Sequence, residues 1–172
     1  PDICAKYPQF SGAKAKQGNE ARTASTSPAR PSASALASLR FTPPAGSPAL
    51  QEFVDDIGRS PDERRQLLQV IAATKTAFEK DYAAKGWKNN VAGAFAFFIG
   101  SIGYIWSGHE PDAAAQDRLF EALSTVLAQS PDMPKASPRE KAALYDTLIA
   151  SASIPLLLYI DGSQKNDKAQ ME

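Results

Sequence analysis

One histidine, one cysteine and a scatter of carboxylates are all that this 172-residue sequence offers to acid–base, nucleophilic or metal chemistry. His109 lies in the run Ser107-Gly108-His109-Glu110-Pro111-Asp112, which places an imidazole and two carboxylates within four residues. A metal centre would need further ligands from elsewhere in the chain to close its coordination. The run also reads as a corner, with Gly108 ending one helix and the acids opening the next at the positive end of its dipole. A Ser-His-acid or Cys-His arrangement would have to use His109, and no glycine-flanked nucleophile elbow accompanies it. The adjacent pairs Asp55-Asp56 and Asp62-Glu63 fall at helix ends, where solvated or dipole-facing acids are ordinary. Cys4 is alone, so it forms no internal disulfide and no thiolate cluster. The residues before it, Pro1-Asp2-Ile3, are not the small-residue run that precedes a bacterial lipidation cysteine. No glycine loop suited to cradling phosphate is present. These residues lead to an expectation of no catalytic centre, no metal and no cofactor.

The aromatic residues offer binding rather than catalysis. Tyr82, Trp87, Tyr104, Trp106 and Tyr145 could line a pocket for an apolar or aromatic ligand, although core residues whose polar tips reach the surface are the simpler reading. In the turn Lys85-Gly86-Trp87-Lys88-Asn89-Asn90, a tryptophan stands between two helices beside two lysines and two amides. That composition suits a cap that locks the turn or an exposed recognition corner. The binding candidates are therefore Trp87, Lys88, Asn89 and Asn90, with Tyr104 and Trp106.

Helices must position them. Ser47-Pro48, Ser60-Pro61 and Ser137-Pro138 each put a hydroxyl at an N-cap and proline at the first helical position. The last two also place Glu63 and Glu140 three residues after the serine, the spacing of a capping box. Glu110-Pro111-Asp112 supplies a fourth start, and Asn89 or Asn90 a fifth. Gly58, Gly86, Gly108 and Gly162 each follow an apolar stretch that a residue of positive φ can close. Leu67, Ile71, Thr74, Phe78 and Tyr82 recur at helical spacing, as do Leu119, Phe120, Leu123, Val126 and Leu127. Leu144, Tyr145, Leu148 and Ile149 lead toward Pro155, where a kink is expected. No alternating run bounded by hairpin turns appears. The expectation is all-α: a single five-helix bundle around a central hydrophobic helix, with a disordered N-terminal arm.

The central helix is Val91–Trp106, in which Ser101 and the Tyr104 hydroxyl are the only polar side-chain groups. Gly93, Ala96, Gly100, Gly103 and Ser107 share one narrow sector, opposite Val91, Phe95, Phe98, Ile102, Ile105 and Trp106. Sixteen residues at about 1.5 Å each reach about 24 Å, short of a hydrocarbon core of roughly 30 Å. The neighbouring helices carry single apolar stripes that need an apolar partner. The stretch therefore reads as a buried helix with both faces packed, and no transmembrane span is expected.

Three segments follow: a basic Ala/Ser/Pro-rich arm over 1–38, a helical domain over 39–162, and a polar tail over 163–172. The arm's composition cannot bury enough apolar surface to offset its ordering entropy. Residues 1–46 hold six Lys/Arg against two Asp/Glu, and residues 47–172 hold thirteen against seventeen, giving +4 and −4. A basic arm on an acidic body is poor material for a duplex-binding face, so no nucleic-acid partner is expected. The first residue is Pro, which suggests that a preceding segment has been removed.

The run WKNNVAGAFAFFIGSIGYIWSG, with the upstream LRFTP and the downstream helix pair, resembles an uncharacterised family of bacterial exported helical domains. The elements that carry the resemblance are Leu39, Arg40, Phe41 and Pro43, then Asn89, Asn90, Val91 and Ala92, over roughly residues 39–162. It implies a periplasmic or secreted helical domain of unknown biochemical activity. Two functions stay open: a protein-binding module of the cell envelope, or a carrier of a small apolar ligand. An interior cavity lined by Phe95, Phe98 and Tyr145 would favour the carrier, and a filled core with an exposed apolar patch the binding module.

Overall fold

The computed structural model describes residues 32–46 and 48–165. Among them the chain is all-α, with α1 (Ala33–Ala37), α2 (Pro48–Ile57), α3 (Pro61–Asp81), α4 (Val91–Ser107), α5 (Ala113–Gln129) and α6 (Pro138–Lys165). A 3-10 turn at Met133–Lys135 precedes α6. The one β pairing among the described residues is an isolated bridge between Arg40 and Asn90.

The expected helices are α2 to α6, and their starts are chemically explicit. Ser60 Oγ accepts the Glu63 N–H at 3.2 Å. At Ser137 the exchange is reciprocal: its hydroxyl accepts the Glu140 N–H at 3.3 Å, and Glu140 Oε2 accepts the Ser137 N–H at 2.7 Å. Asn90 Oδ1 accepts the Ala92 N–H at 3.0 Å and Asp112 Oδ1 the Ala115 N–H at 2.7 Å. Gly108 closes α4 at φ 70°. Each device satisfies backbone groups that a helix terminus leaves without a partner.

Both ends of the domain depart from expectation. Helix α1 is a sixth helix inside the stretch read as arm. Ser32 Oγ accepts the Ala35 N–H at 3.1 Å, and Ala35 and Leu36 pack against a cluster containing Leu39, Ala92 and Ala128. Five residues cannot sustain a helix alone. Tertiary contact supplies what composition does not, and α1 packs as part of the helical body. At the other end Gly162 is no stop: it is buried inside α6, which continues to Lys165. Pro155, where a kink is expected, lies inside α6, which stays helical through it. The expectations for residues 1–31, Cys4 among them, for the cap at Ser47, and for residues 166–172 lie outside the described residues.

Helices α4 and α6 make the most extensive contact in the bundle. They run in the same direction, because Asn89 meets Tyr145 at one end and the Tyr104 and Tyr159 rings stand 5.3 Å apart near the other. The main core gathers Phe78, Trp87, Ala94, Ala96, Tyr145 and Ile149. A second cluster, Val54, Ile71 and Ala150, joins α2, α3 and α6. The central helix is buried over only part of its length. Val91 to Ala94 and Ala96 are covered, whereas Ile99, Ile102 and Trp106 are exposed, which corrects the expectation of a helix packed on both faces. Helix α6, by length and composition alone, is long and apolar enough to cross a membrane.

Candidate functional site

A cleft of about 340 Å³ opens between α4, α5 and the C-terminal part of α6. Its floor is the turn that precedes α4. The Trp87 ring, 2% exposed, stacks between Tyr82 at 4.4 Å and Phe120 at 5.3 Å, with interplanar angles of 13° and 21°. Lys85 holds Asp117 at 2.8 Å and lies 5.8 Å from the centre of the Trp87 ring. One wall is the small stripe of α4, where Ala96, Gly100 and Ser101 leave room that Leu119, Leu156 and Ile160 line from across.

The small stripe has two different jobs along its length. A Cβ placed on Gly93 would fall 2.5 Å from the Trp87 carbonyl oxygen, so only glycine lets the turn fold onto the helix start. A Cβ on Gly100 or Gly103 would meet nothing within 4 Å. The expectation that the whole face packs tightly therefore holds at Gly93 and fails at Gly100 and Gly103. Gly100 is a wall of the cleft.

The polar groups of the cleft are few. Burial, and next the charge of Glu110, raise the Tyr82 hydroxyl above the usual phenol range. Ser101 is a buried polar residue in the wall. The Trp87 Nε1–H is buried and, among the described residues, has no hydrogen-bond partner. Buried donors are nearly always satisfied, so this indole is an exception within the core.

The six binding candidates divide. Trp87 and Tyr104 both line the cleft. Lys88 is exposed and pairs with Glu79 at 3.3 Å. Asn89, at φ 53°, donates its backbone N–H to the Tyr145 hydroxyl and accepts the Phe41 N–H at 3.1 Å. Asn90 is buried; besides capping α4, its Nδ2 donates to the Gly86 carbonyl at 3.3 Å. Lys88, Asn89 and Asn90 thus fasten the turn, and Trp87 is no exposed corner, because its ring is the material the turn folds around. Trp106, 81% exposed, does not line the cleft. Of the aromatic set, Tyr82, Trp87 and Tyr104 meet there, while Tyr145 belongs to the core. Sequence reasoning missed Phe97, Gln116, Leu119 and Leu156. The spacing of Ala96 and Gly100 was the available signal, and it marked a gap rather than a contact.

His109 is exposed, with its Nδ1 2.7 Å from the Ser107 carbonyl oxygen. Asp112 is occupied as a cap, and no group of three metal-capable side chains occurs among the described residues. A family model described as a family of unknown function, DUF6683, matches residues 5–172. The chain belongs to that family. No curated protein and no solved structure matches it.

Proposed function

We propose that the protein is a non-catalytic binding module of the bacterial cell envelope, which docks a protein partner through the C-terminal ends of α4 and α6. One observation carries this reading: large apolar side chains stand exposed at the same end of two helices that run side by side. Ile99, Ile102 and Trp106 form a stripe on α4, and Leu157 and Leu158 are exposed on α6. Helix α4 holds no charged residue, and α6 holds none between Asp146 and Asp161. Exposed apolar surface of this kind marks interaction sites. The absence of charge favours an uncharged, apolar partner face. Tyr145 is 1% exposed and packed against Phe41 and Phe78, which favours this reading over a carrier cavity beside that ring.

In this reading α6 is a core helix and not a span. Its first half buries Asp146, whose carboxylate meets Lys75 at 2.6 Å, and a bilayer would strand both charges. The envelope location is part of the proposal; its support is the likeness of LRFTP and NNVA to exported domains.

The test is capture from an envelope fraction by the wild-type chain and by Trp106→Asp/Leu158→Asp. A partner held by the wild type and lost by the double variant, with circular dichroism unchanged, supports the reading. Sedimentation and vesicle flotation run in parallel. Self-association or vesicle binding that the double variant abolishes would replace the protein partner with a second copy or a lipid surface.

A further inference from the structure

We propose that the cleft between α4, α5 and α6 binds a small organic cation, whose apolar body enters between the helices while its single positive charge stays beside Glu110. It rests on the cleft alone and does not depend on docking at the exposed ends of α4 and α6.

The charge of the lining decides the sign. No Lys, Arg or His lines the cleft, and the one charged residue that does is Glu110. Glu110 is exposed and forms no salt bridge among the described residues. It sits in the corner His109-Glu110-Pro111, which Gly108 fixes at one end by closing α4 and Asp112 at the other by capping α5. Lys85, beside the Trp87 ring, does not line the cleft, and its charge is held by Asp117 at 2.8 Å. An anion entering here finds no counter-charge and one repulsion, whereas a cation finds a carboxylate that has no ion-pair partner.

Tyr82 reports the field inside. Burial, and next the charge of Glu110, hold its proton on, so a negative charge is disfavoured where that hydroxyl stands. Burial opposes a charge of either sign, and Glu110 opposes only the negative one. The two together direct the apolar body of a cation inward and leave its charge at the carboxylate.

The rest of the lining suits such a body. Ala96, Leu119, Leu156 and Ile160 are aliphatic, and Tyr82, Phe97 and Tyr104 bring aromatic rings, the apolar surface to which a cation is attracted. The volume, about 340 Å³, lies at the small end of the range for ligand pockets, roughly 300–1,000 Å³. Gly100 keeps one wall at backbone height, and a Cβ there would meet nothing within 4 Å.

Equilibrium dialysis of the full chain against three naphthalenes of matched size tests this: 2-(aminomethyl)naphthalene, protonated at neutral pH, the uncharged 2-naphthalenemethanol, and 2-naphthoate. The ammonium compound should saturate at one site per chain and bind about threefold or more tighter than the alcohol, the scale of a solvent-exposed ion pair. The carboxylate should be weakest. Glu110→Gln should bring the ammonium compound down to the affinity of the alcohol and leave the alcohol unchanged. Gly100→Leu should lose both with its melting temperature retained, and Trp106→Ser/Leu158→Ser should keep both. The proposal is overturned by absence of saturable ammonium binding, by equal affinity of ammonium and alcohol in the wild type, or by a preference for the ammonium that persists in Glu110→Gln. Binding that survives Gly100→Leu, or disappears in Trp106→Ser/Leu158→Ser, would overturn it by moving the ligand to the exposed apolar face. Should Gly100→Leu fail to fold, the charge series on the wild type and Glu110→Gln decides alone.

Discussion

The Tyr145 hydroxyl accepts the backbone N–H of Asn89 at 3.4 Å and donates to Glu79 Oε1 at 3.2 Å, so one phenol ties α6 to the turn before α4 and to α3. The Phe41 ring meets it edge-on at 5.2 Å, which adds the segment after α1 to the same point. Burial, and next the charge of Glu79, push the Tyr145 proton far above the usual phenol range. The group is thus a permanent donor.

Tyr145→Phe should destabilise the fold by about 1–3 kcal/mol at neutral pH, the cost of leaving buried groups without their partner. The alkaline limb gives a second reading. A folded pKa above the unfolded value of about 10 means that this stability is complete below pH 10 and is lost as pH rises beyond it, at about 1.4 kcal/mol per unit for each such group. Tyr82 shifts in the same direction. Melting curves between pH 8 and 11 should therefore fall less steeply for Tyr145→Phe than for the wild type; parallel curves would contradict the assignment.

Two glycines seven residues apart on α4 should respond oppositely to alanine. Gly93→Ala forces a methyl into the Trp87 backbone and should cost about 1–3 kcal/mol or more, the usual range for overpacking. Gly100→Ala meets open space and should stabilise by about 0.5–1 kcal/mol through helix propensity alone. Chemical denaturation of the two variants measures both signs.

The acid limb belongs in part to Glu140. Its hydrogen bonds to Ser137 hold its carboxyl below the usual range. A lowered folded pKa contributes stability that is present above the unfolded value and disappears as pH falls through the folded one. Glu140→Gln should accordingly melt below the wild type at neutral pH, and the gap should close under acid conditions. A gap that persists at the lowest pH would mean the side chain acts by shape and not by charge.

Helix α1 predicts where the domain can be shortened. A chain beginning at Ser32 should melt above one beginning at Leu39, by an amount on the order of 1–2 kcal/mol for the partly buried Leu36 side chain and its neighbours. Equal melting of the two would mean that α1 adds nothing to the fold.

How much of this was legible in the residues depends on the range over which each feature is decided. The caps at Ser60, Asn90, Asp112 and Ser137 and the close at Gly108 are settled by atoms a few residues apart, and the sequence reads them correctly. Helix α1 is settled by Ala92 and Ala128, distant in sequence, so its own Ala/Ser composition conceals it. The small stripe of α4 lies between these cases. Its periodicity is visible in the sequence, but whether a backbone or a void faces each glycine depends on where Trp87 folds back and where α5 stands off. For the same reason Trp87 and Tyr104 could be singled out as binding candidates, while Phe97, Gln116 and Leu156, which complete the cleft, could not.

The parallel course of α4 and α6 also bears on how quickly the chain reaches its fold. Asn89 and Tyr145 are 56 residues apart, and the whole of α5 must be laid down between the two helices that share the largest contact. An up-and-down bundle gains most of its contacts between sequence neighbours and closes only short loops. Here the strongest pairing waits for a long closure, and entropy opposes that closure until the core residues meet. Helical proteins rich in local contacts fold in microseconds to milliseconds, and non-local pairing lengthens that time. The connection that orients the two helix ends side by side therefore makes this all-helical chain a slow folder for its class, with the apolar ends of α4 and α6 in solvent for longer before they come together.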